Sequence, residues 1–288
     1  GMTSEWRTIR AADFIDFNPR LSLKKGDIAT KVAMDKLKPF TKKIPETEKA
    51  EFNGGAKFCN GDTVMARITP CLENGKTAYV DMLDDGEIGF GSTEFIVMRA
   101  KTGISDPQFV YYTAINPVFR NVAVKSMVGS SGRQRVQQSV LEELELSVPD
   151  LDEQRRIGDF LARIDEKIAL NDRINDNLEQ QAQSYFQELF VDNADPEWTT
   201  GTISDLGTVV GGSTPSKAKP EYYTESGIAW ITPKDLSNNK SKFVSHGEND
   251  ITELGLRNSS ASIMPEGTVL FSSRAPIGYI AIAAGEVT

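Results

Sequence analysis

The chain has 288 residues and a mass of 31.7 kDa, more than one average domain needs, so we expect two domains. Its formal net charge of −9 argues against a nucleic-acid partner, but the charge is uneven: Lys and Arg number 20 against 19 Asp and Glu in residues 1–149, 5 against 12 in residues 150–196, and 7 against 10 in residues 197–288. The sequence has no apolar run of ~20 residues, which argues against a membrane role and favours a cytoplasmic protein. It has no CxxC motif and only one histidine, which argues against a metal site, a cofactor and histidine-based catalysis.

Residues 1–149 predict a first mixed α+β domain, because short strands interrupted by glycine and proline dominate them. The start TIRAADFIDF is strand-like. The segment NGDTVMARITP (60–70) is typical of a turn and a short apolar strand that lead to Arg67, and LEELELSV (141–148) alternates as a strand does.

Residues 150–196 predict one long helix. Downstream of Pro149 the apolar spacing becomes helical, and Asp150 followed three residues later by Glu153 is typical of a capping box. A helix from about residue 152 to 190 would be roughly 58 Å long at ~1.5 Å per residue. One small domain does not need a helix of that length.

The predicted helix carries a two-position heptad stripe, which we name the seam. Its residues are Ile157, Leu161, Ile164, Ile168, Asn171, Asn175, Leu178, Ala182, Tyr185 and Leu189. The two asparagines at its centre lower stability but penalise shifted registers. The seam predicts a partner helix; the alternative is that the helix packs on its own domain as an amphipathic element.

Residues 197–288 read as a diverged, shorter repeat of the first domain. The segment VAMDKL (32–37) matches ITPKDL (231–236), and NGDTVMARITP matches PEGTVLFSSRAP (265–276), which places Arg274 opposite Arg67. TISDLGTVV opens the third region as TIRAADFIDF opens the first. We therefore expect a second α+β domain that is incomplete, since the first region spans more residues than the third.

Four local strings carry a resemblance to a known family: PDLDEQRRIGDFLARIDEKI (149–168), GGSTPS (211–216), GIAWITPKDL (227–236) and GTVLFSSRAPIGYIAI (267–282). Together with the order of parts, they resemble the DNA-specificity subunit of type I restriction-modification enzymes. The combination is specific, whereas GGSTPS alone is a weak match.

The resemblance implies a non-catalytic subunit. Two target recognition domains, here 1–149 and 197–288, would each read one half of a split site in double-stranded DNA. The helix within 150–196 would separate them, act as a ruler for the gap and dock methyltransferase subunits, and through these restriction subunits. A homodimer through the helix is a further expectation.

DNA contact requires Arg, Lys, Gln or Ser side chains on surface loops. The richest candidate is KSMVGSSGRQRVQQS (125–139), where two glycines free the backbone. The predicted DNA-binding residues are Lys125, Ser130, Ser131, Arg133, Gln134, Arg135, Arg67, Ser272, Ser273 and Arg274. For both matched arginines, pairing with a carboxylate inside the domain is the competing interpretation, and Ser92 and Thr93 fit a turn better than a contact.

Two other classes of function stay open. One is a coiled-coil scaffold that carries two protein-binding domains, which the acidic balance favours. The other is an enzyme: Asn116-Pro117-Val118-Phe119 approaches the box that holds a flipped base in amino-methyltransferases, but it is one residue short and no S-adenosylmethionine signature accompanies it. We therefore expect no catalytic residue.

Overall fold

The structure, a computed structural model, describes residues 6–288 and divides the chain into two compact units. Unit 1 ends at Asn193, and unit 2 runs from Ala194 to Thr288. Over residues 6–288, no helix combines the length and the apolar character that crossing a bilayer requires.

Over residues 6–193, unit 1 contains ten short strands, five α-helices and two helical turns of other types. The strands are β1 (Arg7–Arg10), β2 (Ile15–Phe17), β3 (Ile28–Val32), β4 (Glu48–Glu51), β5 (Ala56–Phe58), β6 (Thr63–Ala66), β7 (Thr77–Tyr79), β8 (Gly89–Gly91), β9 (Phe95–Ala100) and β10 (Glu145–Val148). The helices are α1 (Ala11–Phe14), α2 (Pro107–Ile115), α3 (Pro117–Lys125), α4 (Gln138–Glu142) and α5 (Leu151–Phe186), with a 3₁₀ turn at Met34–Lys36 and a π-helical turn at Gln187–Asp192.

Two four-stranded sheets and a two-stranded ribbon organise unit 1. One sheet has the antiparallel order β2-β9-β6-β7, and the other has the order β4-β3-β8-β5, in which only β3 and β8 are parallel. The ribbon pairs β1 with β10, Arg7 facing Val148, so the first described strand lies beside the strand that leads into α5.

Strands β6 and β9 are buried on both faces, which explains why they read as continuous apolar runs. Met65 and Ile96 pack with the residues of α2 and α3 in one core cluster. Val64 and Val97, which point the other way, pack with Val32 of the second sheet in another. Unit 1 therefore has three layers. Helices α2 and α3 pack on one face of the sheet β2-β9-β6-β7, and the sheet β4-β3-β8-β5 packs on its other face.

Helix α5 starts as the sequence predicts, because the Asp150 side chain accepts a hydrogen bond from the Glu153 backbone N–H at 2.9 Å. It is continuous to Phe186 and then widens into the π-helical turn, so the helical path covers the predicted 152–190. The first turns dock on unit 1 through Gln154, which is completely buried.

The predicted strand 141–148 is only half correct. Leu141 belongs to α4 and fills the core from there. The strand occupies Glu145–Val148, where Leu146 and Val148 are buried and the alternate residues are exposed. Apolar residues three positions apart suit a helical turn, and those two positions apart suit a strand. Because 141–148 contains both spacings, the pattern alone did not show where the helix α4 ends and the strand begins.

Unit 2 contains six strands, three α-helices and a 3₁₀ turn. They are α6 (Ile203–Leu206), the 3₁₀ turn Pro220–Tyr222, β11 (Tyr223–Thr224), β12 (Ile228–Trp230), α7 (Pro233–Asn238), β13 (Phe243–Val244), β14 (Asn249–Ile251), α8 (Glu253–Arg257), β15 (Val269–Phe271) and β16 (Ile280–Ala283). The strands form two sheets, β11-β14-β12 and β13-β16-β15.

The two units share local elements in the order that the repeat predicts. The antiparallel pair β15–β16 corresponds to β6–β7, and helix α7 follows β12 as the 3₁₀ turn Met34–Lys36 follows β3. The matched opening segments also correspond: residues 203–206 of TISDLGTVV form helix α6, whose start Thr202 and Asp205 cap. Residues 11–14 of TIRAADFIDF likewise form helix α1 between β1 and β2, where the sequence predicted a strand. The α+β class, with two strand-rich units and a long helix, is confirmed.

Candidate nucleic-acid interface

The loop predicted to contact DNA forms a tight turn after α3. The backbones of Val128 and Arg135 pair across it, with N···O distances of 3.0 and 2.9 Å. At its tip, Ser130, Ser131 and Arg133 are exposed, and the Arg133 backbone N–H donates to the Ser130 carbonyl. The loop therefore holds short donors and a guanidinium out into solvent.

Two residues of the loop are further constrained. Gly129 has φ +133°, and a Cβ there would lie 3.0 Å from the Arg133 carbonyl oxygen. Gln134 is half-buried, and its carbonyl accepts from Thr69 N–H at 3.0 Å. Lys125 is exposed at the end of α3. The turn is thus fixed to the chain that follows β6.

Arg67 lies beside this loop. Its backbone N–H donates to the Glu94 carbonyl, and its own carbonyl accepts from Val136 N–H at 2.8 Å. The half-buried side chain makes one long hydrogen bond, 3.4 Å, to the Val136 carbonyl, and its buried Nε has no partner among the described residues. Buried donors without a partner are rare in folded proteins, so the contacts within unit 1 do not fully satisfy this guanidinium.

The Arg67 side chain lines a cavity of about 590 Å³ on unit 1, which we name the cationic cavity. Lys57 and Arg20 also line it, and Phe95 and Val97 form part of its apolar wall. The Lys57 ammonium donates to the Leu21 carbonyl at 3.0 Å. Three cations and an apolar wall suit a partner with both phosphates and flat bases.

Glu94 connects the cavity to the loop. Arg135 Nη2 lies 2.7 Å from Glu94 Oε1 and Arg135 Nε lies 2.9 Å from Glu94 Oε2, a two-pronged pair. This hydrogen bonding outweighs burial and holds the pKa of Glu94 below its usual value, and Arg67 contributes to the same effect. The internal pairing considered for Arg67 and Arg274 thus occurs at Arg135 instead.

Asn18, Arg20 and Lys57 also line this cavity, although no local pattern in the sequence singled them out. Thr93 is exposed and lines the cavity, whereas Ser92 serves the turn, its Oγ accepting from Glu94 N–H at 3.1 Å. Asn18, at φ +50°, accepts from Val97 N–H and donates to Gln138. A non-glycine residue at positive φ is a signal of function, but sequence does not reveal it.

In unit 2 the three predicted contact residues differ in accessibility. Ser273 and Arg274 are exposed. Ser272 is 2% exposed, and its Oγ accepts from Tyr279 N–H at 2.9 Å, closing the connection between β15 and β16. The Ser272 side chain thus has a structural role in this connection, and of the three residues only Ser273 and Arg274 present their side chains to solvent.

The seam residues differ in burial: those in the first turns of the helix are partly buried, and those further along are exposed. Ile157 packs against the core of unit 1, and Leu161 is half-buried. Ile164 and Ile168 are 43% and 54% exposed, and Leu178 is 57% exposed. The remaining seam residues are also exposed: Asn171, Asn175, Ala182, Tyr185 and Leu189. The prediction of a partner helix thus concerns residues 164–189, while the alternative of intradomain packing holds for residues 157–161.

The motif at Asn116 has a structural role. Asn116 separates α2 from α3 and caps α3, its side chain accepting from Val118 N–H at 2.8 Å.

Lys36 and Lys234 each follow or precede an aspartate in the sequence, but in the structure they bind the carboxylates of Glu46 and Glu248. Across the described part of the chain, no three His, Cys, Asp or Glu residues are grouped to hold a metal ion.

The elements described above define a strand-rich α+β protein with a protruding helix and a cationic surface on unit 1. The family model described as "Type I restriction modification DNA specificity domain" matches residues 4–180 and 196–288. The chain belongs to this family, as the four sequence strings indicated.

Curated relatives carry the same description. The chain is 44% identical over 106 residues to the type I restriction enzyme MjaIX specificity subunit of Methanocaldococcus jannaschii, an alignment that covers 37% of this chain and 24% of the relative. It is 36% identical over 129 residues to the EcoAI specificity subunit of Escherichia coli, covering 45% and 20%. The HindI specificity subunit of Haemophilus influenzae is 23% identical over 298 residues, covering 77% and 63%. The chain thus aligns with less than two thirds of each of these relatives.

Solved structures are also similar. The HsdS subunit of Thermoanaerobacter tengcongensis matches with a TM-score of 0.45 and 20% identity, over 98% of this chain and 72% of that one. A type I restriction-modification S subunit from M. genitalium matches with a TM-score of 0.48 and 15% identity, over 99% and 72%.

Proposed function

We propose that this chain is a non-catalytic DNA-recognition subunit of a type I restriction-modification system, acting in the cytoplasm. Unit 1 reads one half of a split target, and unit 2 contributes to reading the other. Methyltransferase subunits, and through them restriction subunits, supply the chemistry. The family membership of the chain and the specificity-subunit descriptions of its relatives support this proposal.

The observation that carries the proposal is the grouping of Arg67, Thr93 and the 125–135 loop on one surface of unit 1. The residues come from three separate parts of the sequence. They combine cationic side chains with hydroxyl and amide groups, which are the donors that proteins use on phosphates and base edges. With a net charge of −9, the chain needs such a local cationic surface to bind DNA.

The exposed seam supports the proposed partners. Between Ile164 and Leu189 the helix presents apolar side chains at heptad spacing to solvent, whereas before that point the face with Gln154 and Ile157 packs on the core of unit 1. A second helix, from a methyltransferase subunit or from another copy of this chain, would bury them.

The decisive experiment uses the full chain co-purified with its methyltransferase subunit. Methylated sites are mapped in cells that express the complex, and DNA affinity is measured at several salt concentrations. We expect one bipartite sequence to be methylated, and affinity for it to fall steeply with salt. Equal affinity for random and target DNA would contradict the proposal.

Reversing the charge of one loop arginine tests whether the loop forms the DNA interface. Arg133→Glu should abolish target binding and leave methyltransferase docking intact, because Arg133 is exposed and makes no ion pair among the described residues. Lys38→Glu, an exposed lysine of the same unit outside the loop and the cavity lining, is the matched control and should bind normally. If Arg133→Glu changes nothing, the coiled-coil scaffold with two protein-binding domains becomes the better hypothesis.

A further inference from the structure

A lysine surrounded by three tyrosine rings lies at the point where α5 extends beyond the other elements of unit 1. The Lys42 ammonium lies 5.3, 5.4 and 4.8 Å from the ring centroids of Tyr79, Tyr111 and Tyr112. It donates to Gln108 Oε1 and, at 3.0 Å, to the Tyr112 hydroxyl. Aromatic faces attract an ammonium most strongly when water is displaced.

The cage is tied to the helix through one hydroxyl. The Tyr112 O–H donates to Asp165 Oδ2 of α5 at 2.5 Å, so Tyr112 accepts from Lys42 and donates to Asp165. Burial and this hydrogen bond raise the pKa of Tyr112, so the hydroxyl keeps its proton. The Lys42 backbone is fixed in turn, since its carbonyl accepts from Tyr79 N–H at 2.9 Å.

Asp165 is placed to act as the outer anchor of the helix. The inner anchors are Gln154, which is buried, and Gly158, where a Cβ would lie 2.8 Å from Asp106 Oδ1. Asp165 lies on the same side of the helix, eleven residues or about 16 Å beyond Gln154. From Glu166 to Phe186 every side chain is exposed except half-buried Ala169.

We propose that Lys42, Tyr112 and Asp165 form a positioning clasp that sets the direction in which α5 extends beyond the other elements of unit 1, and that this direction determines the gap between half-sites that the chain accepts. About 40 Å of helical path follows Asp165 up to Asp192, so a small change of angle at the clasp moves the far end by several ångströms. The part of this proposal that concerns the gap rests on the proposed function.

The first measurement needs no DNA. Hydrogen exchange of the full chain is compared for wild type, Tyr112→Phe and Asp165→Asn. Both variants should raise exchange in residues 159–169 and leave residues 151–157 protected, because the inner anchors remain. The controls are Tyr185→Phe and Asp172→Asn, exposed positions further along the same helix, and they should match wild type. Unchanged exchange in residues 159–169 of both clasp variants would overturn the proposal.

The second measurement uses the complex with the methyltransferase subunit. Methylation rates are compared on the target and on targets whose gap is one base pair longer or shorter. Tyr112→Phe and Asp165→Asn should reduce the preference for the natural gap by about tenfold, the effect of one charge-assisted hydrogen bond, without changing the half-site sequences read. An undiminished gap preference in both variants would overturn the link to the gap.

The two measurements distinguish a failure of the proposed function from a failure of the clasp proposal. If the wild-type complex recognises no bipartite target, the proposed function fails and the hydrogen exchange still decides whether the clasp anchors the helix. If the wild-type complex prefers one gap and the variants prefer it equally, the proposed function stands and the inference fails.

Discussion

Gln154 of the long helix accepts a hydrogen bond from the backbone N–H of Asp106, at 3.0 Å, although its side chain is completely buried. Its amide nitrogen donates to the carbonyls of Ile104 and Pro149, at 3.2 and 3.0 Å. One side chain thus joins the loop before α2, the end of β10 and the helix α5. Gln154 therefore fixes the first turns of α5 to both of these segments.

Replacement of Gln154 should destabilise unit 1 strongly. Gln154→Leu fills a similar volume but leaves a backbone donor and two acceptors without partners, so we expect the free energy of unfolding to fall by about 2–4 kcal/mol. Urea denaturation of the full chain, followed by circular dichroism, measures this. Gln180→Ala, an exposed glutamine of the same helix, should change it by less than about 0.5 kcal/mol. A Gln154→Leu chain as stable as wild type would show that water replaces the amide.

Gly158 provides a second test of helix docking. A Cβ at this position would lie 2.8 Å from Asp106 Oδ1 and 2.9 Å from Gln108 Cβ, so α2 would have to move. Alanine favours a helix by about 1 kcal/mol over glycine, but overpacking typically costs 1–3 kcal/mol. We expect Gly158→Ala to lower the melting temperature of the full chain, while Asp159→Ala on the exposed side leaves it unchanged or raises it. A gain in stability with Gly158→Ala would mean that the close packing is not maintained in solution.

Glu87 makes the stability of unit 1 depend on pH. Burial opposes its ionisation, but hydrogen bonds from Lys49 and Thr30 outweigh burial and lower the pKa of Glu87 to about 2. A lowered pKa stabilises the folded state fully above the unfolded value of about 4.3, and this stabilisation is lost as the pH falls towards 2. Glu87→Gln should therefore be less stable than wild type at pH 7 and equal to it near pH 2.

The measurement for Glu87 is the urea midpoint of the full chain between pH 2 and pH 7. Asp85→Asn, an exposed neighbour, is the control and should follow the wild-type curve. A constant difference between Glu87→Gln and wild type at every pH would indicate a packing defect in place of a titration.

The sequence predicted local features well and long-range ones poorly. The cap at Asp150 and the strand that leads to Arg67 depend on neighbouring residues, and both were found. The pairing of Arg135 with Glu94 joins residues 41 positions apart, so no spacing rule identified it. The loop 125–135 was found as a candidate because its composition is local, whereas the cavity beside it depends on strands brought together by the fold.

The heptad pattern had a related limit. Ile157 and Ile164 occupy the same heptad position, yet one packs on its own unit and the other is exposed. Ile157 packs on the core because its neighbours Gln154 and Gly158 hold that part of the helix against α2. Neither residue is part of an apolar heptad pattern, so the pattern did not reveal their effect. Periodicity thus predicted the helix but not where its free surface begins.

Two seam variants should therefore behave in opposite ways. Ile157→Asp places a charge against the core of unit 1 and should lower its unfolding free energy by at least about 3 kcal/mol. Leu178→Asp changes an exposed side chain and should leave stability unaltered but prevent assembly with the helix of a partner. Urea denaturation and analytical ultracentrifugation, with the methyltransferase subunit and without it, measure the two effects. Normal assembly of Leu178→Asp would place the partner elsewhere on the chain.

Matched arginines in the two units should affect different halves of the target. Arg67 lines the cationic cavity of unit 1, and Arg274 is exposed after β15 of unit 2, in the corresponding position of the repeat. An arginine that reads a base contributes about 1–3 kcal/mol of discrimination, or a factor of about 10–100. Arg67→Gln should relax sequence preference in one half-site and Arg274→Gln in the other, as measured by mapping methylated sites, while Lys38→Gln leaves the target unchanged. A uniform loss of affinity across all sequences, with a smaller salt dependence, would instead assign both arginines to phosphates.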